Sequence, residues 1–314
     1  MLDYKIILFP ILISAILTPL VKMYSLWAKA YAIENERTVH HGKISRIGGV
    51  AIYIAFVVSM ALFSRTDAAF NGIVLGGSIM FFAGLIDDLV DMKPTVKLLF
   101  EIMAAFVLIY FGVQVDVIRL PFGITIDWGI ITFLFTLCWV VGITNAVNLI
   151  DGLDGLAGGM SVIILVVIGS LAIIERRPDV VTITFILAGS TFGFLIYNAH
   201  PASIFMGDCG SLFLGFMISA ISLLGFKGST VLTLALPILL LMVPIIDTLS
   251  AILRRTLKGM KFLQADKSHM HHLLMKQFGH RNTVVIMCGL TTLFGLSAFA
   301  YLINKEIGFL VMLV

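Results

Sequence analysis

Apolar residues fall in long runs along this chain, and polar residues are concentrated between the runs. A helix needs about 20 apolar residues to cross the hydrocarbon core of a bilayer, and the runs are close to that length. They predict ten transmembrane helices, at 5–21, 48–64, 70–86, 97–113, 128–147, 156–174, 180–197, 211–226, 229–253 and 283–303. The short apolar tail Ile307–Val314 leaves open the beginning of an eleventh helix. We therefore expect an all-α polytopic membrane protein with one domain over 1–314.

Composition and charge narrow the class further. Charged residues make up 12% of the 314 residues and hydrophobic residues 60%, whereas about a quarter of the residues in soluble domains are charged. This balance excludes a soluble globule, a disordered chain, a coiled coil and a nucleic-acid-binding protein as the expected class. The three cysteines show no spacing typical of a disulfide framework or a zinc site.

The distribution of Lys and Arg predicts the orientation in the membrane. Fourteen of the 21 lie in the odd-numbered connections between predicted helices, and seven lie on the other side. The positive-inside rule therefore places the odd-numbered connections in the cytoplasm and the N-terminus outside. Every connection with clustered Asp, Asn or His is odd-numbered, so we expect a reaction site at the cytoplasmic face.

Three carboxylates end the third predicted helix. If the helix continues, Asp91 lies four residues after Asp87 and three after Asp88, so the three crowd one face where the helix dipole is already negative. A divalent cation would offset this charge, because magnesium prefers oxygen ligands. Surface ion pairs with Lys93 and Lys97 are the alternative.

A second polar segment follows the fifth predicted helix. Asn148, Asp151 and Asp154 recur every three residues, which places them on one broad helical face, and the intervening glycines permit close approach of a ligand. The same composition is typical of an ordinary turn. A turn does not explain why two more carboxylates are directed at the surface that carries Asp87 and Asp88, so we favour a shared site.

The connection between the seventh and eighth predicted helices adds one more carboxylate. Asp208 lies on a backbone that glycines allow to fold tightly, and Phe205 offers a ring on which a base could stack. We expect no metal role for Cys209, because magnesium prefers oxygen to sulfur.

Histidines are concentrated in the longest cytoplasmic connection. His269, His271 and His272 fall within four residues, close to Lys267. Their spacing is not the i, i+4 pair that binds zinc on one helical face, and no cysteine is near. Imidazoles and Lys267 suit phosphate groups, and a solvated loop is the alternative.

Basic residues precede the second predicted helix. Arg46 lies just before Gly48 and Gly49. Positive charge and free backbone N–H groups at a helix start suit an anionic ligand, although the same residues also serve as a topology signal.

Two acidic residues lie inside predicted spans. Asp247 is an intramembrane acid, which predicts a functional role. Glu101 lies four residues after Lys97, and we expect these two to form a structural pair.

Together these segments resemble the polyprenyl-phosphate N-acetylhexosamine-1-phosphate transferase family, integral membrane enzymes that begin the synthesis of bacterial teichoic acid, O-antigen and related glycans. The resemblance covers nearly the whole chain. It rests on five segments in family order, RTVHHGKISRIGG, DDLVD, NAVNLIDGLDGLAGG, NAHPASIFMGDCGSLFLG and HMHH. The expected location is accordingly a bacterial inner (plasma) membrane.

The resemblance implies an activity and its partners. A UDP-N-acetylhexosamine would donate a sugar 1-phosphate to undecaprenyl phosphate or a similar polyprenyl phosphate, with release of UMP. The implied cofactor is Mg²⁺, with Mn²⁺ as a substitute. Surrounding membrane lipid is an expected partner, nucleic acid is not, and a homodimer stays open. The resemblance does not decide between direct attack and an aspartyl intermediate.

The resemblance also implies roles for single residues. Asp208 is similar to the principal magnesium ligand, with Asp151 beside it, and Asp87 and Asp88 to the residues that position or deprotonate the lipid phosphate. The remaining implied site residues are Asn148, Asp151, Asp154 and Phe205 on the nucleotide side, His269, His271 and His272 around the diphosphate, and Arg46 and Lys267 in substrate binding. Asp151, Asp154 and His271 are expected to take part in catalysis.

Details of the motifs bear on the donor. The chain has HMHH instead of three consecutive histidines, and Asp91 stands where the phospho-muramoyl-pentapeptide transferase branch would have a basic residue. We therefore expect a UDP-N-acetylglucosamine-type donor, with the pentapeptide donor as the alternative.

Two other classes of protein remain as alternatives to a transferase. DDLVD is similar to the DDxxD motif of intramembrane prenyltransferases, which lack the other loops, and a secondary transporter predicts an internal repeat that the sequence does not show.

Overall fold

The computed structural model describes residues 3–27, 31–32, 44–64, 67–119, 125–126, 128–225, 238, 240–257 and 269–303. Within these ranges the protein has ten helices. They are α1 Lys5–Trp27, α2 Gly49–Phe63, α3 Ala68–Val90, α4 Pro94–Tyr110, α5 Gly129–Ile150, α6 Leu156–Ile174, α7 Pro178–Asn198, α8 Gly207–Gly225, α9 Met242–Leu257 and α10 Met270–Ile303. Seven of them are long and apolar enough to cross a membrane. The prediction of an all-α polytopic membrane protein is confirmed.

Two small antiparallel strand pairs are the only sheets in the described ranges. Strand β1, Tyr31–Ala32, pairs with β2, Ile44–Ser45. Strand β3, Ile118–Arg119, pairs with β4, Thr125–Ile126. Each pair lies in a connection between helices, so the strands add no layer to the bundle.

Several helices extend beyond the predicted spans and include the polar motifs. Helix α3 continues to Val90 and α5 to Ile150, while α8 already begins at Gly207. A hydropathy window ends a span at the first charged residues, whereas a helix continues until its backbone hydrogen bonds are capped. Asp87, Asp88, Asn148 and Asp208 therefore lie in the terminal turns of helices and not in loops.

The C-terminal part departs most from the predicted spans. Helix α9 covers Met242–Leu257 and ends four residues beyond the predicted span 229–253, of which residues 229–237 and 239 are not described. Helix α10 begins at Met270 instead of 283. Helix α10 is kinked at Gly279, whose φ of 76° is a left-handed conformation. Lys267 lies outside the described residues, and so does the apolar tail 307–314, for which an eleventh helix was left open.

Helix α8 forms the centre of the bundle. All its residues from Cys209 to Gly225 are buried, and it packs against α2, α3 and α5. Helix α1 lies at the periphery, on α7 and α2, and exposes Leu8, Leu12 and Ile16 at a spacing of four residues. An apolar stripe of this kind is typical of a helix face that contacts lipid.

Glycines bring α2, α3 and α8 into backbone contact near one end of the bundle. A Cβ at Gly49 would lie 2.2 Å from the backbone nitrogen of Gly210. A Cβ at Gly84 would lie 2.3 Å from the carbonyl oxygen of Asp208. Because these positions lack a side chain, the C-terminal turn of α3 can approach the N-terminal turn of α8.

Candidate active site at one end of the helix bundle

The polar motifs of four helices meet at one end of the bundle. Helices α3 and α5 end there, and α4 and α8 begin there. Hydrogen bonds and ion pairs connect Asp87 and Asp88 of α3, Lys97 of α4, Asn148 of α5 and Asp208 of α8. The predicted clustering of Asp87, Asp88, Asn148 and Asp208 is therefore what the structure shows.

Asp88 holds the N-terminus of α8. Its Oδ1 accepts the backbone N–H of Asp208 at 2.9 Å, and its Oδ2 accepts the backbone N–H of Cys209 at 2.9 Å. The first N–H groups of a helix have no partner within the helix and attract negative charge. Both carboxylate oxygens of Asp88 thus fix the turn that carries Asp208.

Lys97 bridges two carboxylates. Its Nζ lies 2.6 Å from Oδ2 of Asp87 and also forms an ion pair with Oδ2 of Asp208. The other oxygen of Asp87, Oδ1, accepts the backbone N–H of Met92 at 2.7 Å. Lys97 is therefore part of the acidic cluster. Of the two interpretations of these carboxylates, only the alternative of ion pairs with Lys93 and Lys97 anticipated this placement.

Asn148 supports Asp208 from the side of α5. Its Nδ2 donates to Oδ1 of Asp208 at 3.1 Å and lies 2.7 Å from Oγ of Ser211. The amide thereby fixes one oxygen of Asp208, while Lys97 pairs with the other. Asp208 is held by partners from α4 and α5, and its backbone by α3.

Asp91 does not join this cluster, so the expectation that three carboxylates share one face is wrong. Asp91 is the residue after α3 and has a left-handed conformation, with φ of 58°. It is exposed, and its backbone N–H closes the helix on the carbonyl of Asp87. The helix ends before a third carboxylate can align with Asp87 and Asp88.

The expected pair of Lys97 and Glu101 is also wrong. Lys97 pairs with Asp87 and Asp208, whereas Glu101 is only 2% exposed and accepts a hydrogen bond of 2.5 Å from Nδ2 of Asn145. An i, i+4 spacing permits a pair on one helix, but here partners on other helices compete successfully for both side chains. The bond between Glu101 and Asn145 links α4 to α5.

The glycine pair before α2 does not offer free N–H groups to a ligand, contrary to the expectation. The N–H of Gly48 donates to the carbonyl of Phe205 at 3.0 Å, and that of Gly49 to the carbonyl of Met206 at 2.8 Å. The N–H of Phe205 in turn donates to the carbonyl of Ser45 at 2.9 Å. These bonds fasten the segment before α8 to the segment before α2. Arg46 lies in the latter segment, and its side chain is exposed.

Gly207 allows the chain to turn into α8. Its φ is 72°, and a Cβ there would lie 1.7 Å from the carbonyl oxygen of Arg46 and 2.6 Å from Oδ2 of Asp88.

We expect Gly207→Ala to destabilise the protein by about 3 kcal/mol or more, because left-handed strain and a backbone collision add. Thermal unfolding in detergent checks this. Gly112→Ala is the matched control, since Gly112 also has a positive φ, of 81°, with no atom within 4 Å of the added Cβ. Equal losses of melting temperature in both variants would contradict the collision.

Asp151 follows α5 and faces the same cluster. Burial, joined by the charges of Asp208, Asp88 and Asp154, raises the pKa of Asp151 to about 8. A nearby cation would favour the ionised form of such a carboxyl group, because it lowers the cost of the negative charge.

The pKa of Asp151 predicts how stability depends on pH when divalent cations are chelated. The ordinary pKa of an unfolded Asp is about 3.9, so the folded state binds more protons between that value and about 8. Stability is then greatest at low pH and is lost as the pH rises through 8. We expect the melting temperature in EDTA to fall between pH 6 and pH 9, and to fall less in Asp151→Asn. Asp91→Asn, which removes an exposed carboxylate outside the cluster, is the control. An unchanged slope in Asp151→Asn would contradict the assignment.

Asp154 takes different partners from Asp151. It is buried, and its Oδ2 lies 2.9 Å from Nδ1 of His200 and accepts the N–H of Ala202 at 3.1 Å. His280 of α10 stacks on His200, with ring centroids 4.2 Å apart. Among the described residues, Asp154, His200 and His280 are the group of His and carboxylate ligands close enough to hold a metal ion. Their mixed nitrogen and oxygen donors suit a transition metal better than magnesium.

The histidines at the start of α10 lie over the turn that follows α5. His269 and His271 are buried and His272 is partly buried. A Cβ at Gly152 would lie 2.7 Å from Nε2 of His271, so this imidazole edge is directed at the turn that contains Asp151. The alternative of a solvated loop does not fit His269 and His271.

The donor set of the main cluster fits a hard divalent cation. Hydrogen bonds and ion pairs link Asp87, Asp88 and Asp208, with Lys97 as the ammonium group paired with two of them, and the charges of Asp208 and Asp88 act on Asp151. Carboxylate and amide oxygens are the ligands that Mg²⁺ and Mn²⁺ prefer.

Sequence reasoning did not predict the contacts of three residues in this region as the structure has them. Lys97 lies ten positions after Asp87, beyond the turn at Pro94, and only the packing of α3 on α4 brings the two together. Neither His200 nor His280 was expected to contact Asp154. The excess of carboxylates over cations was the signal for Lys97, which the sequence analysis named only as a surface ion-pair alternative.

Comparison with known proteins adds independent findings. The sequence model of the family described as "Glycosyl transferase family 4" matches residues 70–226, which include α3 to α8. The probable undecaprenyl-phosphate N-acetylglucosaminyl 1-phosphate transferase of Bacillus subtilis is 40% identical over 288 residues, covering 90% of this chain and 80% of that protein.

Two further relatives have other names. The decaprenyl-phosphate N-acetylglucosaminephosphotransferase of Mycolicibacterium smegmatis is 35% identical over 309 residues, covering 88% of this chain and 76% of that protein. The phospho-N-acetylmuramoyl-pentapeptide-transferase of Listeria welshimeri is 33% identical over 267 residues, covering 76% of this chain and 79% of that protein. All three matches extend well beyond the single motifs.

Proposed function

We propose, since this chain belongs to glycosyl transferase family 4, that it transfers N-acetylglucosamine 1-phosphate from UDP-N-acetylglucosamine to undecaprenyl phosphate and releases UMP. The observation that carries the proposal is the convergence of Asp87, Asp88, Lys97, Asn148 and Asp208 at one end of a membrane-spanning bundle. The names of the Bacillus subtilis and Mycolicibacterium smegmatis relatives support the donor sugar and a polyprenyl phosphate acceptor.

The reaction is a substitution at phosphorus. An oxygen of the lipid phosphate forms a bond to the β-phosphorus of the UDP-sugar, the bond from that phosphorus to the bridging oxygen breaks, and UMP leaves with the electron pair. Two polyanions must approach each other, so positive charge is needed at the reacting phosphorus. A divalent cation held by Asp208 and Asp151 would supply that charge by neutralising phosphate oxygens.

We assign positioning and orienting roles to three residues of the cluster. Asp88 fixes the first turn of α8 through two N–H groups, so we assign it to positioning Asp208. Asp87 and Lys97 form a pair beside Asp208, and we assign them to orienting the lipid phosphate. The second pKa of a phosphate monoester is about 6, so at neutral pH the lipid phosphate is already largely ionised and needs orientation more than a general base.

The other expected substrate contacts are kept as proposals. Asn148 fixes Asp208 and lines the nucleotide side with Phe205, Asp151 and Asp154. His269, His271 and His272 bind the donor diphosphate, while Arg46 and Lys267 add positive charge nearby. Asp151, Asp154 and His271 act in catalysis. The site faces the cytoplasm of a bacterial cell, where UDP-sugars are available, and its product begins a cell-envelope glycan such as teichoic acid or O-antigen.

A panel of donors tests the proposal. Purified protein in detergent is given undecaprenyl phosphate, Mg²⁺ and one of UDP-N-acetylglucosamine, UDP-N-acetylgalactosamine or UDP-N-acetylmuramoyl-pentapeptide, and both UMP and the lipid product are identified by mass spectrometry. We expect UDP-N-acetylglucosamine to be preferred. Preference for the pentapeptide donor would assign the chain to the activity for which the Listeria welshimeri relative is named. Product formation from a prenyl diphosphate, with no UMP from any donor, would contradict the proposal.

A further inference from the structure

We infer that Asp247 is a positioning residue that acts through His271, and that it holds this imidazole against the turn containing Gly152. The inference deepens the proposed function, and it rests on that function for the identity of the ligand, the diphosphate of a nucleotide sugar. It requires that the carboxylate of Asp247 binds the first turn of α10. It also requires that Asp247 contacts only one edge of the His271 ring, so that the other edge is free to reach the active-site cluster.

Asp247 lies on α9, and its carboxylate binds the start of α10. Its Oδ1 accepts the backbone N–H of Met270 at 2.7 Å, and its Oδ2 lies 3.3 Å from Nδ1 of His269. The N–H groups of His272 and Leu273 donate to the carbonyl of His269 at 3.0 and 3.1 Å. A carboxylate at a helix N-terminus satisfies an unpaired N–H and complements the helix dipole. Asp247 therefore fixes the backbone from which the histidines project.

The same carboxylate faces one edge of His271. Nδ1 of His271 is buried without a hydrogen bond, and Oδ2 of Asp247 lies 3.5 Å from it. Asp247 and His271 are each 1% exposed, so no bulk water competes for this nitrogen. A buried imidazole nitrogen without a partner is costly, and bonds between catalytic groups commonly shorten when substrate binds. Directing Nδ1–H at Asp247 leaves Nε2 to meet the ligand.

The opposite edge of His271 is aimed at the active site. Its Nε2 would lie 2.7 Å from a Cβ at Gly152, the residue after Asp151. The burial of Asp247, which is 1% exposed, keeps it away from any substrate. Asp247 can thus influence a ligand at the 151–154 turn only through the histidines that it holds. His271 is the one that reaches this turn in the structure.

A double-mutant cycle tests the inference through kinetics. We expect His271→Ala to lower kcat/KM for UDP-N-acetylglucosamine about 100-fold and Asp247→Asn to lower it about 10-fold. The KM for undecaprenyl phosphate should not change in either variant, because the inference assigns His271 to the diphosphate of the nucleotide sugar and not to the lipid. In the His271→Ala background, Asp247→Asn should cost less than twofold. A merely structural Asp247 would reduce the active fraction and lower all rates equally in both backgrounds, and that result would overturn the inference.

The matched control is Thr248→Val, since the hydroxyl of Thr248 is buried next to Asp247 without a hydrogen-bond partner. It should leave kcat and both KM values unchanged. If Asp247→Asn does not give a monodisperse protein, Asp247→Glu replaces it, because Glu keeps the charge at the start of α10 but moves the carboxylate relative to His271. Wild-type kinetics in Asp247→Glu would count against the inference.

A second readout on the same variants does not depend on activity. The fall in melting temperature caused by Asp247→Asn should be smaller in the His271→Ala background than in the wild type, because the two side chains share one interaction. Additive falls would overturn the inference. If wild-type protein releases no UMP, the proposed function fails, while this thermal cycle still decides whether Asp247 holds His271.

Discussion

Asp208→Asn is expected to lower the rate of UMP release by at least about 10³-fold while the protein remains folded. Asp208 has the largest number of partners in the cluster, with Lys97 and Asn148 on its two oxygens and Asp88 on its backbone N–H. The amide keeps the size of the side chain and can still bind Asn148, but it removes the negative charge that a divalent cation needs. Loss of a charge-stabilising group in a water-poor site costs this order of rate.

Cys209→Ala is the matched control for this variant. Cys209 is buried one position further along α8, and its backbone N–H, which alanine retains, donates to Oδ2 of Asp88. We expect turnover within about threefold of wild type, as for a small change in a packed interior. Both variants are compared by gel filtration and by initial rate over a range of Mg²⁺ concentrations. Normal turnover in Asp208→Asn at ordinary Mg²⁺ concentration would remove Asp208 from the cation site.

Lys97→Met is expected to lower turnover about 10²- to 10³-fold and, at the same time, to lower the Mg²⁺ concentration that gives half-maximal rate. Lys97 pairs with Asp87 and Asp208, so it would compete with a cation for their oxygens. Removing it leaves two carboxylates facing each other, which attract a divalent cation more strongly. The same change removes a positive charge from the phosphates at the moment of transfer.

Lys93→Met provides the comparison for Lys97→Met. Lys93 immediately precedes the same helix and is exposed, so the variant makes the same change of net charge outside the cluster. We expect its rate and its Mg²⁺ dependence to match those of wild type. A lower rate in Lys97→Met together with a weaker response to Mg²⁺ would mean that Lys97 supports the cation site instead of competing for it.

The helices could be predicted because hydrophobicity in a membrane protein is a local signal. Each span needs its own run of apolar residues, so the runs give the number of helices and their approximate positions without knowledge of packing. The exceptions lie where polar motifs join the ends of helices. Asp87 and Asn148 were placed beyond the helices that in fact contain them, because hydropathy does not detect backbone capping.

The sequence predicted which acidic and amide residues would cluster better than it predicted the contacts that they form with one another. Asp87, Asp88, Asn148 and Asp208 are prominent because polar residues are costly at a membrane boundary. Their partners depend on how α3, α4, α5 and α8 pack, which no local pattern encodes. Lys97 was therefore paired with Glu101 on its own helix, and with the carboxylates of α3 only as an alternative, although it pairs across helices with Asp87.

The glycines before α2 also show that a local pattern does not identify its contact partner. Gly48 and Gly49 suggested open N–H groups for an anion, but these groups bind carbonyls of Phe205 and Met206. A glycine pair marks close backbone approach without identifying what approaches. In this protein the approaching group is the segment that precedes α8, and the glycines thereby help to place Asp208.

The central claim is that this acidic cluster transfers a sugar phosphate onto a polyprenyl phosphate with the help of a divalent cation. The most direct test is the rate of UMP release from UDP-N-acetylglucosamine by purified wild-type protein, measured with and without undecaprenyl phosphate and over a titration of Mg²⁺ after treatment with EDTA. We expect release to require both the lipid and the cation, and to be absent in Asp208→Asn. UMP release that continues without the lipid, or that is unchanged in EDTA, would contradict the claim.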